Sequence, residues 1–531
     1  MIFLIWVVTL LAALGVYLRH LYSRFSRSNV KGFTPVPLLG NMTSVLLKRE
    51  HFAGNIDRLY HAFPEERFVG SFQFLSPMIM IKDIELIKKI TVKDFEHFLD
   101  HRTMVDEKTD PLFGRNLFSL KGEEWKDMRS TLSPAFTSSK MKMMLPFIVE
   151  VGDQMVASMK RKIKESKTGY IDIDSKDMTT RYANDVIASC AFGLKVDSLL
   201  DEKNEFYQMG KTASTFNFKQ LLMFFAMINF PYLVKKLKFS LFKDETKSFF
   251  RQLVMTTMSD RETKNIIRPD MIHLLMEAKK GRLQHEEKVS SKSDAGFATV
   301  EESSVGISTV DRAWSDDDLI AQAILFFVAG FETVSSAMTF ALYEMAVNPD
   351  IQEKLAKEIK ENEVKNQGKF DYNSIQEMVY MDMVVSESLR LWPPGVALDR
   401  VCIKDYNMGC PNDHTKKEYI VRKGEGVSIP AWSIHRDPQY FSDPLKFIPE
   451  RFSEENKHNI KPFTYLPFGL GPRNCIGSRF ALCELKVMLY KLLQHMEVSP
   501  SDKTIIPAEL SAETFNLRMK GGHWIRLKVR E

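Results

Sequence analysis

A chain of 531 residues with 44% hydrophobic and 11% aromatic content has ample material for one large apolar core. Its net charge of +5, from 73 Lys and Arg against 68 Asp and Glu, is mild for this length and gives nucleic-acid binding no support. Five cysteines, an odd number at irregular spacing, argue against a disulfide framework and for a reducing compartment.

The first predicted element is apolar. Residues 2–18 are interrupted only by Thr9, Gly15 and Tyr17, and Arg19, His20, Arg24, Arg27 and Lys31 follow. About 17 residues just reach bilayer-spanning length. A cleaved signal peptide, cut near Ala13-Leu14-Gly15, is the competing reading. No positive segment precedes the apolar run, however, and the basic cluster behind it puts the remainder on the cytosolic side. The expectation is an uncleaved anchor in the endoplasmic reticulum, since a mitochondrial transit peptide would be Arg-rich and amphipathic. Residues 19–41 then form a basic segment ending in a hinge stiffened by Pro35 and Pro37, and residues 42–531 read as one domain.

Residues 68–81 mix β-branched and aromatic types with polar ones and predict short strands. Helical periodicity follows over 150–164, 182–192, 245–260, 352–363 and 375–391. Residues 288–312 are rich in Ser, Gly, Thr and Val without periodicity and predict an exposed loop. Ser315, followed by three aspartates, predicts a helix start, and Pro349 a stop. Between them, 319–331 is apolar all round except Gln322, as a buried helix requires. A second membrane span is the alternative, which the acidic flank and Glu332 make costly. On this helix Gly330 removes bulk, and Thr333 can bond the carbonyl four residues back or a water. Glu332 adds a protonatable group, so the pair can serve proton delivery.

Glu387 and Arg390 lie three apart on one helical face, a spacing that on a solvated surface is worth only about 0.2–0.5 kcal/mol. Further on, residues 467–477 place Cys475 in a glycine-rich loop that runs into an amphipathic helix at 478–496. Helix N-terminal amides favour a thiolate there. A lone thiolate is a poor zinc site but suits the iron of a haem, which takes one axial protein ligand. Cys190, Cys402, Cys410 and Cys483 read as inert core.

Phe468, Gly471, Arg473, Cys475 and Gly477 fall on the pattern Phe-x-x-Gly-x-Arg-x-Cys-x-Gly, which resembles the haem-binding signature of the cytochromes P450. Ala329-Gly330-Phe331-Glu332-Thr333 is similar to that family's distal-helix motif, and Glu387, Arg390 and Arg451 resemble its structural triad. The hinge looks like that of microsomal members, although it lacks their full proline-glycine run. The resemblance spans essentially the whole chain and is closest to insect family nine, through residues 268–277 and the Ser-rich insertion before Trp314.

This resemblance implies a mainly α fold with a small β-rich part, the cytochrome P450 fold, preceded by one N-terminal transmembrane helix. It implies haem b, iron protoporphyrin IX, with Cys475 as axial ligand and with Arg473, Arg400, Trp125, Arg129 and Phe468 binding the cofactor. Buried propionates need cationic partners, for which arginine forks are suited. Thr333 and Glu332 would be catalytic, the triad would hold the loop behind the haem, and His435 would be structural. Electrons would come from NADPH through NADPH-cytochrome P450 reductase, with cytochrome b5 as a second donor. Lys126, Arg479 and Lys486 would form a basic docking face, residues 101–121 would cap the pocket, and 216–233 would roof it and dip into lipid, or else be a plain amphipathic core helix. The implied activity is oxygen insertion into apolar small molecules, xenobiotics such as plant toxins and insecticides first, hormones or fatty acids second. An electron-independent isomerase or dehydratase and a non-catalytic haem carrier are the other classes; Glu332 and Thr333 favour the monooxygenase.

Overall fold

The computed structural model describes residues 1–102, 110–214, 243–280, 296–300 and 312–530, with positions 107, 223, 226, 236, 303 and 305 between them. Its axis is the helix Asp316–Val347. The start is a capping box: Asp318 N–H donates to Ser315 Oγ at 3.2 Å, and Ser315 N–H to Asp318 Oδ2 at 2.9 Å. The helix is buried along most of its length among Ser175–Ile187, Glu205–Ser214, Asp244–Lys264, Val379–Leu391 and Ser478–His495, so its apolar surface is core and not a second membrane span. Pro349, expected as a stop, is the first residue of the next helix, Pro349–Lys365, where its missing N–H has no partner to lose.

Two other helical expectations are redrawn. The run expected over 375–391 divides into Tyr372–Gln376 and Val379–Leu391. The Glu358 carboxylate, from the neighbouring helix, accepts the N–H groups of Tyr380 and Met381 at 2.7 Å each and so caps a new helix inside an unbroken pattern. The run expected over 182–192 is the end of Ser175–Ile187 continued by a π-turn, Ala188–Phe192, which Gly193 closes.

Strands are short. Phe68–Gln73 and Ser76–Ile81 pair as a hairpin, Gly426–Ile429 runs parallel to the second with Met78 opposite Gly426, and Leu398–Val401 closes that sheet. Tyr170–Asp174, Trp524–Val529 and Met496–Ser499 form a second sheet. The architecture is mainly α with a small β part.

The helix Ile2–Tyr22 has 21 residues, 18 consecutive ones among them averaging a hydropathy of 2.2, and residues 2–17 are exposed. At 1.5 Å per residue it reaches about 30 Å, enough to cross a bilayer. The proline segment behind it is a turn docked on the sheet. Val36 and Gly40 exchange backbone bonds of 3.0 and 2.8 Å, and Asn41 Oδ1 accepts the Phe72 N–H at 2.7 Å. Within the stretch expected as an exposed loop, Phe297 packs on Phe452 and Tyr465, its N–H donates to Asp382 Oδ2 at 2.8 Å, and Ala298 is buried. An apolar pair among polar neighbours holds that part down; most of the rest of 288–312, and nearly all of 216–233, lies outside the described residues.

Candidate active site

Residues 467–477 turn beneath the central helix because Gly471 adopts φ +67°, and a Cβ there would fall 1.9 Å from the Thr91 carbonyl oxygen. Cys475 N–H donates to Phe468 O at 2.9 Å, closing the loop so that the cysteine faces a cavity of about 450 Å³. Burial pushes the Cys475 thiol up, against the Gly477 N–H and Arg129, which pull it down. The thiolate expected from the helix terminus is therefore not what the protein alone favours. A cation at the sulfur would reverse that order, because a metal deprotonates a coordinating thiol.

Across the cavity stands the central helix. Ala329 and Thr333, one turn apart, are the exposed residues of a buried to half-buried stretch and line the cavity with Gly330. Thr333 Oγ1 donates to the Ala329 carbonyl. A Cβ on Gly330 would stand 3.0 Å from Ile187 Cδ1, so the glycine sets how closely Ser175–Ile187 approaches.

Glu332 does not join Thr333. Its Oε1 lies 2.6 Å from Arg518 and 3.6 Å from Lys176 Nζ and accepts from Ser336 Oγ at 3.3 Å. Adjacent helical residues point about 100° apart, which turns this carboxylate away from the cavity and into a half-buried ion cluster. Burial pulls the Lys176 ammonium down to about 7, with Glu332 opposing.

Arg129, Arg400 and Arg473 converge on the cavity wall, with Trp125 and Phe468. Arg129 donates to Asn474 O at 2.8 Å and Oδ1 at 2.7 Å. Arg473 donates to Leu99 O and Leu120 O at 2.8 Å each and lies 3.9 Å over the Trp125 ring. Arg400 donates to Asp399 O at 2.6 Å and Leu470 O at 3.2 Å. Most of these partners are neutral carbonyls. Asp100 stands 3.5 Å from Arg473, while the Asp399 carboxylate is taken by His101 Nδ1 at 3.0 Å and the Arg102 N–H at 2.8 Å. Burial pulls Arg473 well below the usual arginine range and Arg400 to about 10. This excess of buried positive charge fits a ligand carrying two carboxylates; apart from His101, Asp399, Asn474 and the cysteine and threonine already described, the rest of the wall is apolar. The residues present therefore suit a flat hydrocarbon cofactor with an acidic edge and an iron facing Cys475.

Sequence reasoning missed part of this wall. His101, stacked on Phe118 at 4.4 Å, lines it, as do Met144, Ile187 and Met271. Cys190, expected as ordinary core, is also on it. The signal for His101 was there, in a histidine inside a stretch expected to cap the pocket; Ile187 and Cys190 sit in the run 182–192, expected only as a helix. Of the expected docking lysines, Lys486 is buried and 2.9 Å from Asp382, so it cannot belong to a surface patch, and Lys126 is already 3.0 Å from both Glu96 and Glu123.

Behind the cysteine loop, Glu387 and Arg390 are both fully buried and form a bidentate pair of 2.7 and 2.9 Å; Arg451 joins Glu387 at 3.2 Å. Arg390 also donates to the carbonyls of His435 and Pro444 at 2.7 and 2.8 Å. His435 accepts the Leu466 N–H on Nε2 at 2.7 Å and so carries its proton on Nδ1, donating to Arg390 O at 2.9 Å. It ties the triad to the start of the loop and coordinates nothing. Burial, with Arg390 beside it, pulls His435 from 6.5 down to about 3. Unfolded chain binds a proton below about 6.5 that the folded protein refuses, so this part of the stability is complete above that pH and falls progressively towards pH 3. In His435→Gln the thermal midpoint is expected to change less between about pH 7 and about pH 4 than in the wild type; an unaltered slope would refute the assignment.

The cytochrome P450 family model matches residues 30–524. Cytochrome P450 9e2 of Blattella germanica is 45% identical over 517 residues, covering 95% of this chain and 94% of that protein. Probable cytochrome P450 9f2 of Drosophila melanogaster is 43% identical over 504 residues, 93% of each chain, and probable cytochrome P450 6a13 of the same species 38% over 526 residues, 99% and 98%. With a cysteine loop and a threonine-bearing helix facing across one cavity, and family similarity along nearly the whole length, the chain belongs to the cytochrome P450 monooxygenases, among the insect family-nine-like members.

Proposed function

We propose that the cavity holds haem b, whose iron Cys475 Sγ would ligate, and that the enzyme inserts one oxygen atom of O₂ into apolar small molecules, xenobiotics above all. The observation that carries this is one cysteine and one threonine facing each other across an apolar cavity with three buried arginines at its edge. Bound there, haem supplies the redox chemistry that activates oxygen. Arg129, Arg400 and Arg473 hold its carboxylates, with Trp125 and Phe468 as flat apolar contacts. Thr333 Oγ1, with its proton on Ala329 O, keeps lone pairs with which to hold a cavity water. Glu332 must first part from Arg518 and Lys176 if its carboxyl is to feed that water. The apolar wall keeps bulk water out.

The breadth of substrate follows from the same wall. A site built for one hormone would offer paired polar groups to its hydroxyls, since such groups carry strong discrimination. Leu117, Phe136, Leu325, Phe326 and the adaptable Met144 and Met271 select instead by size and greasiness. NADPH-cytochrome P450 reductase is the proposed electron donor. The helix Ile2–Tyr22 and the basic residues behind it favour an endoplasmic-reticulum anchor with the catalytic domain in the cytosol.

Purified enzyme with reductase, NADPH and a panel of plant terpenoids, insecticides and fatty acids tests the reading; product formed equally well without NADPH would refute the electron route. Thr333→Ala is expected to lower product per NADPH by roughly 10–100-fold, equivalent to about 1.4–2.7 kcal/mol of barrier, with hydrogen peroxide rising in step. A fully coupled Thr333→Ala enzyme would remove Thr333 from the mechanism.

A further inference from the structure

Outside the cavity lining, three charged side chains form a compact knot, Arg261 and Asp270 buried and Arg268 partly exposed. Arg261, on the helix Asp244–Lys264, makes a bidentate bond to Asp270 at 2.5 and 2.6 Å, and both residues are buried. Asp270 also caps the helix Met271–Lys279 through the His273 N–H at 3.1 Å. Arg268 places Nε 3.1 Å from Asp270, stacks 4.1 Å over Phe147, and donates to Ser189 O and Oγ at 3.2 Å each. Ser189 belongs to the π-turn Ala188–Phe192, an element that holds its shape only where neighbours secure it. Gly193 ends that turn at φ +70°, and a Cβ there would stand 2.4 Å from the Arg261 guanidinium, so turn and knot are in contact.

The elements tied by this knot carry one part of the cavity wall: Ile187, Cys190, Ala191 and Met271, with Met144 beside them. None is charged. Ile187 meets the central helix at Gly330, beside Ala329 and Thr333. A flat cofactor that turns its two carboxylates to Arg129, Arg400 and Arg473 must lay hydrocarbon edges against uncharged parts of the wall.

We propose that the Arg261–Asp270–Arg268 knot is a positioning element for the cofactor: it holds Ile187, the π-turn Ala188–Phe192 and Met271 against the hydrocarbon edge of haem. This rests on the reading of the cavity as the haem site. Arg268 is the residue to test, because it is partly exposed and its removal leaves the buried Arg261–Asp270 pair intact.

The experiment measures haem loss from the holoprotein to excess apomyoglobin. Partners that orient the surroundings of a metal site usually matter by about 10–100-fold, so Arg268→Gln should release haem about 10-fold faster, and Arg268→Lys, which can still reach Ser189 O, should recover most of the difference. Arg526→Gln, which breaks a surface bidentate pair with Asp172 away from the cavity, controls for general loosening and should release haem at the wild-type rate. If the knot acts through the wall, Arg268→Gln and Met271→Ala should be less than additive in release rate. Wild-type release by Arg268→Gln, equal acceleration by Arg526→Gln, or strict additivity with Met271→Ala would each overturn the proposal. A wild-type protein that takes up no haem would instead overturn the reading of the cavity.

Discussion

Cys475→Ser is expected to abolish the thiolate-type absorption band of the reduced carbon monoxide complex and, with it, all oxygenase turnover. The substitution is nearly isosteric, and the bond that closes the loop, Cys475 N–H to Phe468 O at 2.9 Å, is made by the backbone and survives it. Gly471, whose conformation and contact with Thr91 O fix the turn, is untouched. The variant should therefore fold, and the three arginines should still offer partners to the haem carboxylates. What is lost is a sulfur whose electron donation to iron an alcohol or a water cannot match. Absorption spectra of the reduced complex and product analysis on one good substrate read the two effects separately. A serine variant that kept both would place the axial ligand elsewhere, and Cys190 is the other cysteine on the cavity wall.

What could be read from the sequence was what is local along the chain. Cys475 was legible because a glycine-rich turn, a cysteine and a helix start occupy ten consecutive residues, and Ser315 because a cap and its acidic first turn are neighbours. Properties that depend on which way a side chain faces were not. Glu332 and Thr333 are adjacent in the motif, yet the helical rotation between them sends one to Arg518 and the other to the cavity. Lys486 looks like any solvated helix lysine until Asp382, more than a hundred residues earlier, is found to bury it. The break at Glu377 and Met378 could not be seen because its cause is a carboxylate on another helix. Strands such as Leu398–Val401 are too short to show a period, although that strand carries Arg400 into the site. The helix Ile2–Tyr22 runs four residues past the apolar segment 2–18, since Arg19 and His20 end the apolar run without ending the helix.

Glu387→Ala should cost the protein its haem and most of its stability. On a surface, the Glu387 and Arg390 spacing would be worth tenths of a kcal/mol, but both side chains are fully buried, and the carboxylate also accepts from Arg451 at 3.2 Å and from the Ile448 N–H at 2.8 Å. Removing it leaves the Arg390 guanidinium in the core without its counter-charge, a change that typically costs about 3–5 kcal/mol against a total of about 5–15 for a folded domain. A second substitution, Arg390→Met, removes the stranded charge but not the problem. Arg390 also binds the carbonyls of His435, Pro444 and Lys446 at 2.7, 2.8 and 3.2 Å, and these would be left without a donor. Since His435 in turn holds the Leu466 N–H at the head of the cysteine loop, the double variant should regain some thermal stability while still failing to retain haem. Thermal midpoints by circular dichroism and the ratio of haem to protein after gel filtration measure the two quantities independently. If Glu387→Ala melted near the wild-type temperature with a full haem complement, the triad would be a bystander, and the loop that presents Cys475 would have to be held by its own turn and by Arg129 and Arg473 alone.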